Sequence, residues 1–197
     1  MRTLLIISFI LISNIVYGQH KLRDSVYIKT DLFEIIYSEK LEQPRYVKYN
    51  VKCPYGTASR TGMDFYTCDS IKTSDNKDYE KNIYDKGHML SSANCNCSKE
   101  LMFKTFTYLN CALQHEKLNR GVWKYLEIHE RDLMDRNKSV TVEILCVYTL
   151  KSIKLPTGAT VPDGFYKTIR YGKDNVEKYY FKNEEPKSDK YLDYKIK

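Results

Sequence analysis

Two stretches of the chain decide its fold and its chemistry: residues 84–90 read YDKGHML, and residues 106–127 read FTYLNCALQHEKLNRGVWKYLE. The first contains His88, one of only four histidines in the sequence, directly after Gly87. We expect Gly87 to let the backbone turn tightly before the imidazole. A lone histidine is generally a structural residue, so its neighbours must supply the argument for catalysis. Solvated or terminal positions are predicted for the other histidines, His20, His115 and His129.

Alternating and β-branched patterns predict strands on both sides of these stretches. The predicted strands are residues 46–51, 140–148, 164–169 and 178–181, with a turn at residues 172–175 between the last two. Residues 69–82 are polar with little periodicity, which predicts a surface loop. Strands at both ends with helices between them predict an α+β fold.

Two helices are predicted in the middle of the chain. Ser98 is a suitable N-cap for the first, whose buried face is formed by Leu101, Met102, Thr105 and Phe106. The second pattern runs from Asn119 to about Arg136. Its apolar stripe is formed by Val122, Trp123, Leu126 and Leu133. In this second helix Asn119 stands at the N-cap position, where a side-chain oxygen projects outward.

The composition fits a single globular domain. Of the 197 residues 42% are hydrophobic and 29% charged, which excludes collagen-like, coiled-coil and polytopic membrane proteins. The net charge of +7 suits a polyanionic partner, although surplus lysine also serves solubility. We divide the chain into a signal peptide (1–18), an N-terminal segment (19–43), a main domain (44–183) and a charged tail (184–197) that frays or ends in one short strand.

The N-terminus is typical of an exported protein. A short basic start precedes an apolar run from Leu4 to Ile12, and Val16 and Gly18 are small enough to precede a signal-peptidase site. The run is too short and interrupted for a comfortable membrane span, and an uncleaved anchor is the alternative. We therefore expect a secreted or periplasmic protein without stable membrane association after cleavage.

Six cysteines follow this run: Cys53, Cys68, Cys95, Cys97, Cys111 and Cys146. In an exported chain, an even number of cysteines favours disulfide bonds. Zinc is the alternative, but the Cys95–Cys97 spacing lacks the paired motif of a structural zinc site. We expect Cys53 to pair with Cys68. Cys95 and Cys97, if extended, face opposite sides and take different partners.

Residues 84–90 resemble the D-R-G-H-(L/M) motif of the DNA/RNA non-specific endonucleases, the His-Me or ββα-metal finger family. Residues 106–127 are similar to this family's S-N-x-x-P-Q pattern followed by N-x-G-x-W-x-x-L-E, in the same order and spacing. Residues 161–167 (VPDGFYK) are similar to its V-P-x-x-F-Y-K strand. The resemblance covers roughly residues 44–183 and implies an α+β fold, in which an antiparallel sheet core carries a ββα-metal finger active site.

The resemblance also implies catalytic roles. His88 would be the general base that takes a proton from the attacking water. Asn119 would be the one direct protein ligand of a divalent ion, normally Mg²⁺ with Mn²⁺ as a substitute, while Glu127 would hold one of its waters and Asn110 would orient the site. The chemistry is reasonable, because phosphodiester hydrolysis needs an activated nucleophile and charge stabilisation, which a neutral imidazole and a metal ion supply.

Two cationic residues are assigned to the substrate phosphate. Lys86 stands where the family usually has Arg, and it keeps the charge but lacks the bidentate fork. We therefore expect a modest loss of transition-state positioning rather than inactivity. Arg60 is matched to a family arginine upstream of the motif. A further departure is Leu113, which replaces the usual Pro before Gln114.

The predicted function is a secreted, magnesium-dependent endonuclease that cleaves DNA and RNA without sequence specificity through contacts to the phosphate backbone. One alternative is a catalytically silent family member that binds nucleic acid outside the cell. Another is a disulfide-stapled structural or adhesive protein. The joint retention of His88, Asn119 and Glu127 argues against the first alternative, and the ordered array of site residues argues against the second. The oligomeric state is left open.

Overall fold

The computed structural model describes residues 22–53 and 55–197. Within them the strands are β1 (Val26–Lys29), β2 (Phe33–Ser38), β3 (Gln43–Asn50), β4 (Tyr84–His88), β5 (Cys111–His115), β6 (Val140–Val147), β7 (Gly164–Tyr171), β8 (Asn175–Lys182) and β9 (Lys195–Ile196). The helices are α1 (Lys99–Lys104), α2 (Glu116–Leu118) and α3 (Lys124–Asn137), with a π-helical turn (Asn119–Trp123) between the last two. Short 3₁₀ helices occupy Asn76–Tyr79, Ser92–Asn94, Tyr108–Asn110 and Tyr191–Tyr194.

Most of the strands form one antiparallel sheet in the order β1-β2-β3-β6-β7-β8-β9. Strands β4 and β5 form a separate antiparallel pair. This arrangement confirms the predicted α+β class with an antiparallel sheet core. The four predicted strands correspond to β3, β6, β7 and β8, and Gly172 adopts a φ of 59° in the predicted turn between the last two. The short terminal strand is present as β9.

The helices differ in detail from their predictions. Ser98 caps α1 as predicted, since its hydroxyl accepts from the Leu101 amide at 3.4 Å. The second helical segment begins at Glu116 rather than at Asn119, because Nδ1 of His115 accepts from the Lys117 amide at 3.2 Å and caps it. Asn119 is therefore inside the segment and not an N-cap.

The polar segment 69–82 is only partly a loop. Asp75 caps the 3₁₀ helix Asn76–Tyr79 by accepting from the Lys77 amide at 2.8 Å. In return, Asp78 accepts from the amide of Asp75 at 2.9 Å, which completes a capping box. This local hydrogen bonding fixes a segment whose sequence shows no periodicity.

The inner face of the large sheet packs against α3 and the π-helical turn. Trp123 is fully buried, and its ring centroid lies 5.4 Å from that of Phe165 and 5.7 Å from that of Phe181. The whole predicted stripe is buried: Val122, Trp123, Leu126 and Leu133. A buried ion pair lies in the same layer, with Nζ of Lys167 on β7 2.6 Å from Oε1 of Glu130 on α3. This packing fixes α3, which carries Glu127, and the π-helical turn, which carries Asn119.

The cysteines form fewer bonds than predicted. Cys53 pairs with Cys97, and not with Cys68, so that pairing was wrong. Within residues 22–53 and 55–197 the remaining thiols are free: Cys68, Cys95, Cys111 and Cys146. Cys95 is buried in the core while Cys97 is exposed, but the backbone turns at residues 96–97 and is not extended. The predicted second disulfide partner for Cys95 was wrong, because Cys95 is a free thiol. The disulfide thus ties the segment after β3 to the segment before α1.

None of the helices in the described part of the chain is long and apolar enough to cross a membrane.

Candidate active site

A cleft of about 600 Å³ opens where β4 meets the helical segment that leads into α3. Five of the predicted site residues line it together: Arg60, Lys86, His88, Asn119 and Glu127. The sixth, Asn110, is fully buried below the cleft. Its amide donates to the carbonyls of Leu90 at 2.9 Å and Thr105 at 3.0 Å, and its oxygen accepts from the Leu90 amide at 2.8 Å. Asn110 therefore joins the segment after His88 to the end of α1.

Gly87 is required for a close approach rather than for a turn. It lies within β4, and a Cβ atom there would lie 2.5 Å from Oε1 and 2.6 Å from Cβ of Gln114 on β5. The predicted tight turn was wrong, because Gly87 continues the strand. The Gln114 side chain occupies the volume that a side chain at position 87 would fill. The glycine thus lets β5 pack closely behind His88.

His88 ends β4 and is held mainly by aromatic packing. Its ring centroid lies 4.7 Å from that of Phe65 and 4.8 Å from that of Phe106. Nε2 is buried and has no hydrogen-bond partner among the described residues. Burial, with a smaller contribution from the charge of Arg60, lowers the pKa of His88 to about 3. The imidazole is consequently neutral at physiological pH and able to accept a proton.

Asn119 is oriented by Asp85, which belongs to the motif of residues 84–90. Its Nδ2 donates to Oδ2 of Asp85 at 2.8 Å, and this bond distinguishes the nitrogen of the side-chain amide from its oxygen. The side-chain oxygen, Oδ1, accepts no hydrogen bond from the described residues. Arg120 holds the same carboxylate in a fork, with Nε at 2.9 Å from Oδ2 and Nη2 at 2.6 Å from Oδ1. The backbone is non-helical at Gly121, so a kink separates Asn119 from α3.

Glu127 is the carboxylate that lines the cleft from α3. Burial raises its pKa to about 7, while the nearby Lys167 ammonium and a hydrogen bond with Ser91 act in the opposite direction. Without a bound metal ion, this carboxyl therefore titrates near neutrality. An amide oxygen and a carboxylate oxygen are ligands that Mg²⁺ prefers.

The cleft also carries cations that the sequence analysis did not single out: Arg120, Lys124 and Arg131. Arg131 follows Glu127 by one helical turn, and its guanidinium donates to Oδ1 of Asn94 at 3.0 Å. The four-residue spacing of Glu127 and Arg131 places both on one face of α3, and this spacing could have indicated that Arg131 also lines the cleft. A charged helix face, however, is ordinarily exposed to solvent. Lys86, which was assigned to the substrate phosphate, is also engaged within the protein. Its ammonium lies 3.1 Å from the Asp64 carboxylate and donates to the Asn76 side chain.

The other histidines in the described part of the chain lie outside the cleft. His115 caps α2, as described above. His129 is not a solvated surface residue as predicted, because its Nε2 lies 2.8 Å from Oε2 of Glu177 and the side chain is mostly buried. His20 lies outside the described residues.

A two-stranded β-pair followed by a helix, with a histidine, an asparagine and a glutamate around a cationic cleft, defines a protein of the ββα-metal class. The family model for DNA/RNA non-specific endonucleases matches residues 14–197, and the chain belongs to this family.

Several known proteins are similar to this chain. "Nuclease 1, mitochondrial" of Schizosaccharomyces pombe is 32% identical over 105 residues, which are 47% of this chain and 33% of that protein. "Nuclease EXOG, mitochondrial" of Danio rerio is 29% identical over 111 residues, 54% of this chain and 32% of that protein. The match thus spans about a third of each of these relatives. A solved structure described as the "EndoG/EndoGI complex" aligns with a TM-score of 0.76 and 23% identity over 87% of this chain and 80% of that chain, which shows the shared fold.

The prediction of a secreted or periplasmic protein is wrong. The curated relatives that match are named as mitochondrial nucleases. The prediction used the length and flanks of an apolar run, and these features alone do not identify the compartment that a segment addresses. The signal peptide predicted at residues 1–18 lies outside the described residues.

Proposed function

We propose that this protein is a metal-dependent endonuclease that hydrolyses phosphodiester bonds of DNA and RNA without sequence specificity. One observation carries the proposal: a neutral histidine, an oriented asparagine oxygen and a carboxylate share a single cleft with several cations. The match spans about a third of each curated relative, so the activity is argued from this chain's own residues.

His88 is the general base in this proposal. Its low pKa keeps it unprotonated, so it can take a proton from water that attacks the phosphorus atom. A free imidazole with a pKa of about 3 is a weak base, but the phosphate of a bound substrate counters the Arg60 charge. A negative charge beside the ring raises its pKa toward the range in which proton transfer is efficient. The aromatic contacts of Phe65 and Phe106 keep the ring in position while its charge changes.

Asn119 and Glu127 would hold the cation. The Asn119 oxygen would be the direct ligand and the Glu127 carboxylate would accept a hydrogen bond from a coordinated water. When bound, Mg²⁺ would supply charge stabilisation to the phosphate oxygens. Among the residues described, no group of three or more His, Cys, Asp or Glu side chains is placed to hold a metal. The Asn119 oxygen and the Glu127 carboxylate therefore fit a cation that keeps most of its waters, as Mg²⁺ does. Mn²⁺ is expected to substitute for it.

The cationic side chains would bind the substrate through its backbone. Phosphate contacts carry no sequence information, and they are available in DNA and RNA alike. Of these cations, Arg120 is tied to Asp85, whereas the exposed Lys124 and Arg60 are free to meet phosphates. Binding should therefore weaken steeply as salt increases.

The test is nicking of supercoiled plasmid and degradation of single-stranded RNA, with Mg²⁺ and with EDTA. Cleavage of both substrates in Mg²⁺ and its loss in EDTA are the expected results. Filter binding of nucleic acid without turnover at any Mg²⁺ or Mn²⁺ concentration would instead assign a catalytically silent binding protein. Cleavage that persists in EDTA would refute the role of Asn119 and Glu127.

A further inference from the structure

A second cavity, of about 370 Å³, lies beside the cleft. It is bounded by the loop before Thr67, by the start of the 3₁₀ helix Asn76–Tyr79 and by Tyr108. Its volume is within the range of small-molecule sites. Its lining includes the side chains of Phe65, Tyr66, Asp75, Asn76, Lys77 and Tyr108.

Lys86 joins this cavity to the cleft. It lines the cleft, and its ammonium lies 5.6 Å from the ring centroid of Phe65 and 5.7 Å from that of Tyr108. The same ammonium donates to the Asn76 oxygen, which also accepts from the Tyr108 hydroxyl at 2.6 Å. A nucleotide whose phosphate meets Lys86 therefore has the second cavity within reach of its base.

The walls of the cavity suit a base. Phe65 and Tyr66 offer aromatic surface, while Tyr108 is buried behind them, and base–aromatic stacking tolerates any sequence. Asp75 and Lys77 place opposite charges on the facing wall, and the Asp75 carboxylate can accept hydrogen bonds from the amino groups of bases. The Tyr66 ring stacks on Phe103 with 5.3 Å between the ring centroids, and this contact fixes its position. Tyr66 is nevertheless 40% exposed, so part of it remains accessible to a base.

The cavity is also held in shape without a ligand. The Tyr66 amide donates to the Phe106 carbonyl at 2.9 Å, and the Tyr108 amide donates to the Tyr66 carbonyl at 3.0 Å. The capping box at Asp75 fixes the opposite wall. Little conformational entropy is lost when such a preformed site is filled.

We propose that this cavity is a nucleobase subsite, in which the base of the nucleotide on the Lys86 side of the scissile phosphate stacks against Phe65 and Tyr66. The proposal rests on the proposed nuclease function and adds a contact to one flanking base. Because stacking tolerates any base, the subsite is compatible with the proposed cleavage without sequence specificity.

Tyr66→Ala is the best test variant, because the Tyr66 ring does not contact His88 and its backbone bonds survive the substitution. Tyr27→Ala is the matched control, since Tyr27 is 62% exposed and lines neither cavity. Dinucleotides with a single phosphodiester fix the register, and each is prepared intact, with the 5′ base removed, or with the 3′ base removed. A dinucleotide with both bases removed provides a substrate that carries no aromatic group.

For the wild type, we expect removal of one of the two bases to lower kcat/KM by about tenfold or more, which is within the range of a single base stack. Tyr66→Ala should lower kcat/KM for the intact dinucleotide to a similar degree and abolish the difference between the two abasic forms. The rate on the dinucleotide without either base should stay unchanged, and Tyr27→Ala should behave as wild type. Equal loss on every substrate would show that Tyr66 is merely structural and would overturn the subsite.

A binding experiment keeps the subsite testable even if no cleavage occurs. In the His88→Ala variant, 2-aminopurine at the 5′ or the 3′ position of the dinucleotide reports stacking through quenching of its fluorescence. Quenching at one position that is lost in His88→Ala/Tyr66→Ala supports the subsite independently of catalysis. Equal fluorescence at both positions, with or without Tyr66, would refute it, whereas absent cleavage by wild type would refute the nuclease proposal alone.

Discussion

Replacement of Lys167 by Met is expected to destabilise the protein strongly. Lys167 and Glu130 are both fully buried, with 2.6 Å between Nζ and Oε1, and the ammonium also lies 3.9 Å from the Trp123 ring centroid. The Glu130 carboxylate further accepts from the hydroxyl of Tyr49 at 2.9 Å and the amide of Asn94 at 2.8 Å. Without Lys167, the buried Glu130 carboxylate would lose its counter-ion. Only the two neutral donors, the Tyr49 hydroxyl and the Asn94 amide, would still hydrogen-bond to it.

Loss of one partner of such a pair costs about 3–5 kcal/mol, whereas an apolar replacement of both partners is often nearly neutral. We therefore expect Lys167→Met to lower the free energy of unfolding by about 3–5 kcal/mol, measured by urea denaturation. The double variant Lys167→Met/Glu130→Leu should recover part of this loss, although it removes the acceptor of the Tyr49 hydroxyl and of the Asn94 side-chain amide. A single-variant loss below about 1 kcal/mol would refute the reasoning, because that is the value of an exposed pair.

Three further predictions concern the site. The folded pKa of His88, about 3, lies below its unfolded value of 6.5, so the unfolded state binds the proton more readily and stability falls as the pH drops from 6.5 toward 3. Between pH 6.5 and 4.5 we expect wild type to lose about 2–3 kcal/mol more than His88→Ala in denaturant unfolding, and parallel curves would contradict this. Gly87→Ala would place Cβ 2.5 Å from Gln114 Oε1, so overpacking should lower the free energy of unfolding by about 1–3 kcal/mol. This loss should appear as a lower Tm, and an unchanged Tm would contradict the close approach. Arg131→Ala should weaken plasmid binding. The slope of the logarithm of the binding constant against the logarithm of the salt concentration should become shallower by the equivalent of roughly one phosphate contact, and an unchanged slope would place Arg131 outside the nucleic-acid interface.

The sequence predicted those parts of the fold that follow from local pattern. Strands β3, β6, β7 and β8 alternate or are rich in β-branched residues, and Ser98 is an evident helix cap. Strand β4, with the sequence YDKGH, carries charges and a glycine and therefore shows no strand pattern. It is a strand because it pairs with β5, and because Gly87 makes room for Gln114.

The site residues were predicted from the order of a motif, and their connections depend on tertiary structure. No local signal indicates that Asp85 binds the Asn119 amide or that Lys86 leans toward Asn76. Likewise, the Cys53–Cys97 bond depends on how the fold brings two distant loops together, which spacing along the chain does not reveal. The role of Lys167 was hidden for the same reason, since its partner lies on another element.

The most direct test of the central claim compares wild type, His88→Ala and His129→Ala in plasmid nicking with Mg²⁺ at low salt. His129→Ala is the matched control, because it removes a histidine that lies outside the cleft. A general base contributes about 10²- to 10⁴-fold, so His88→Ala should be slower by that factor while binding the plasmid as tightly as wild type. His129→Ala should retain activity close to wild type. Equal nicking rates for wild type and His88→Ala would contradict the account.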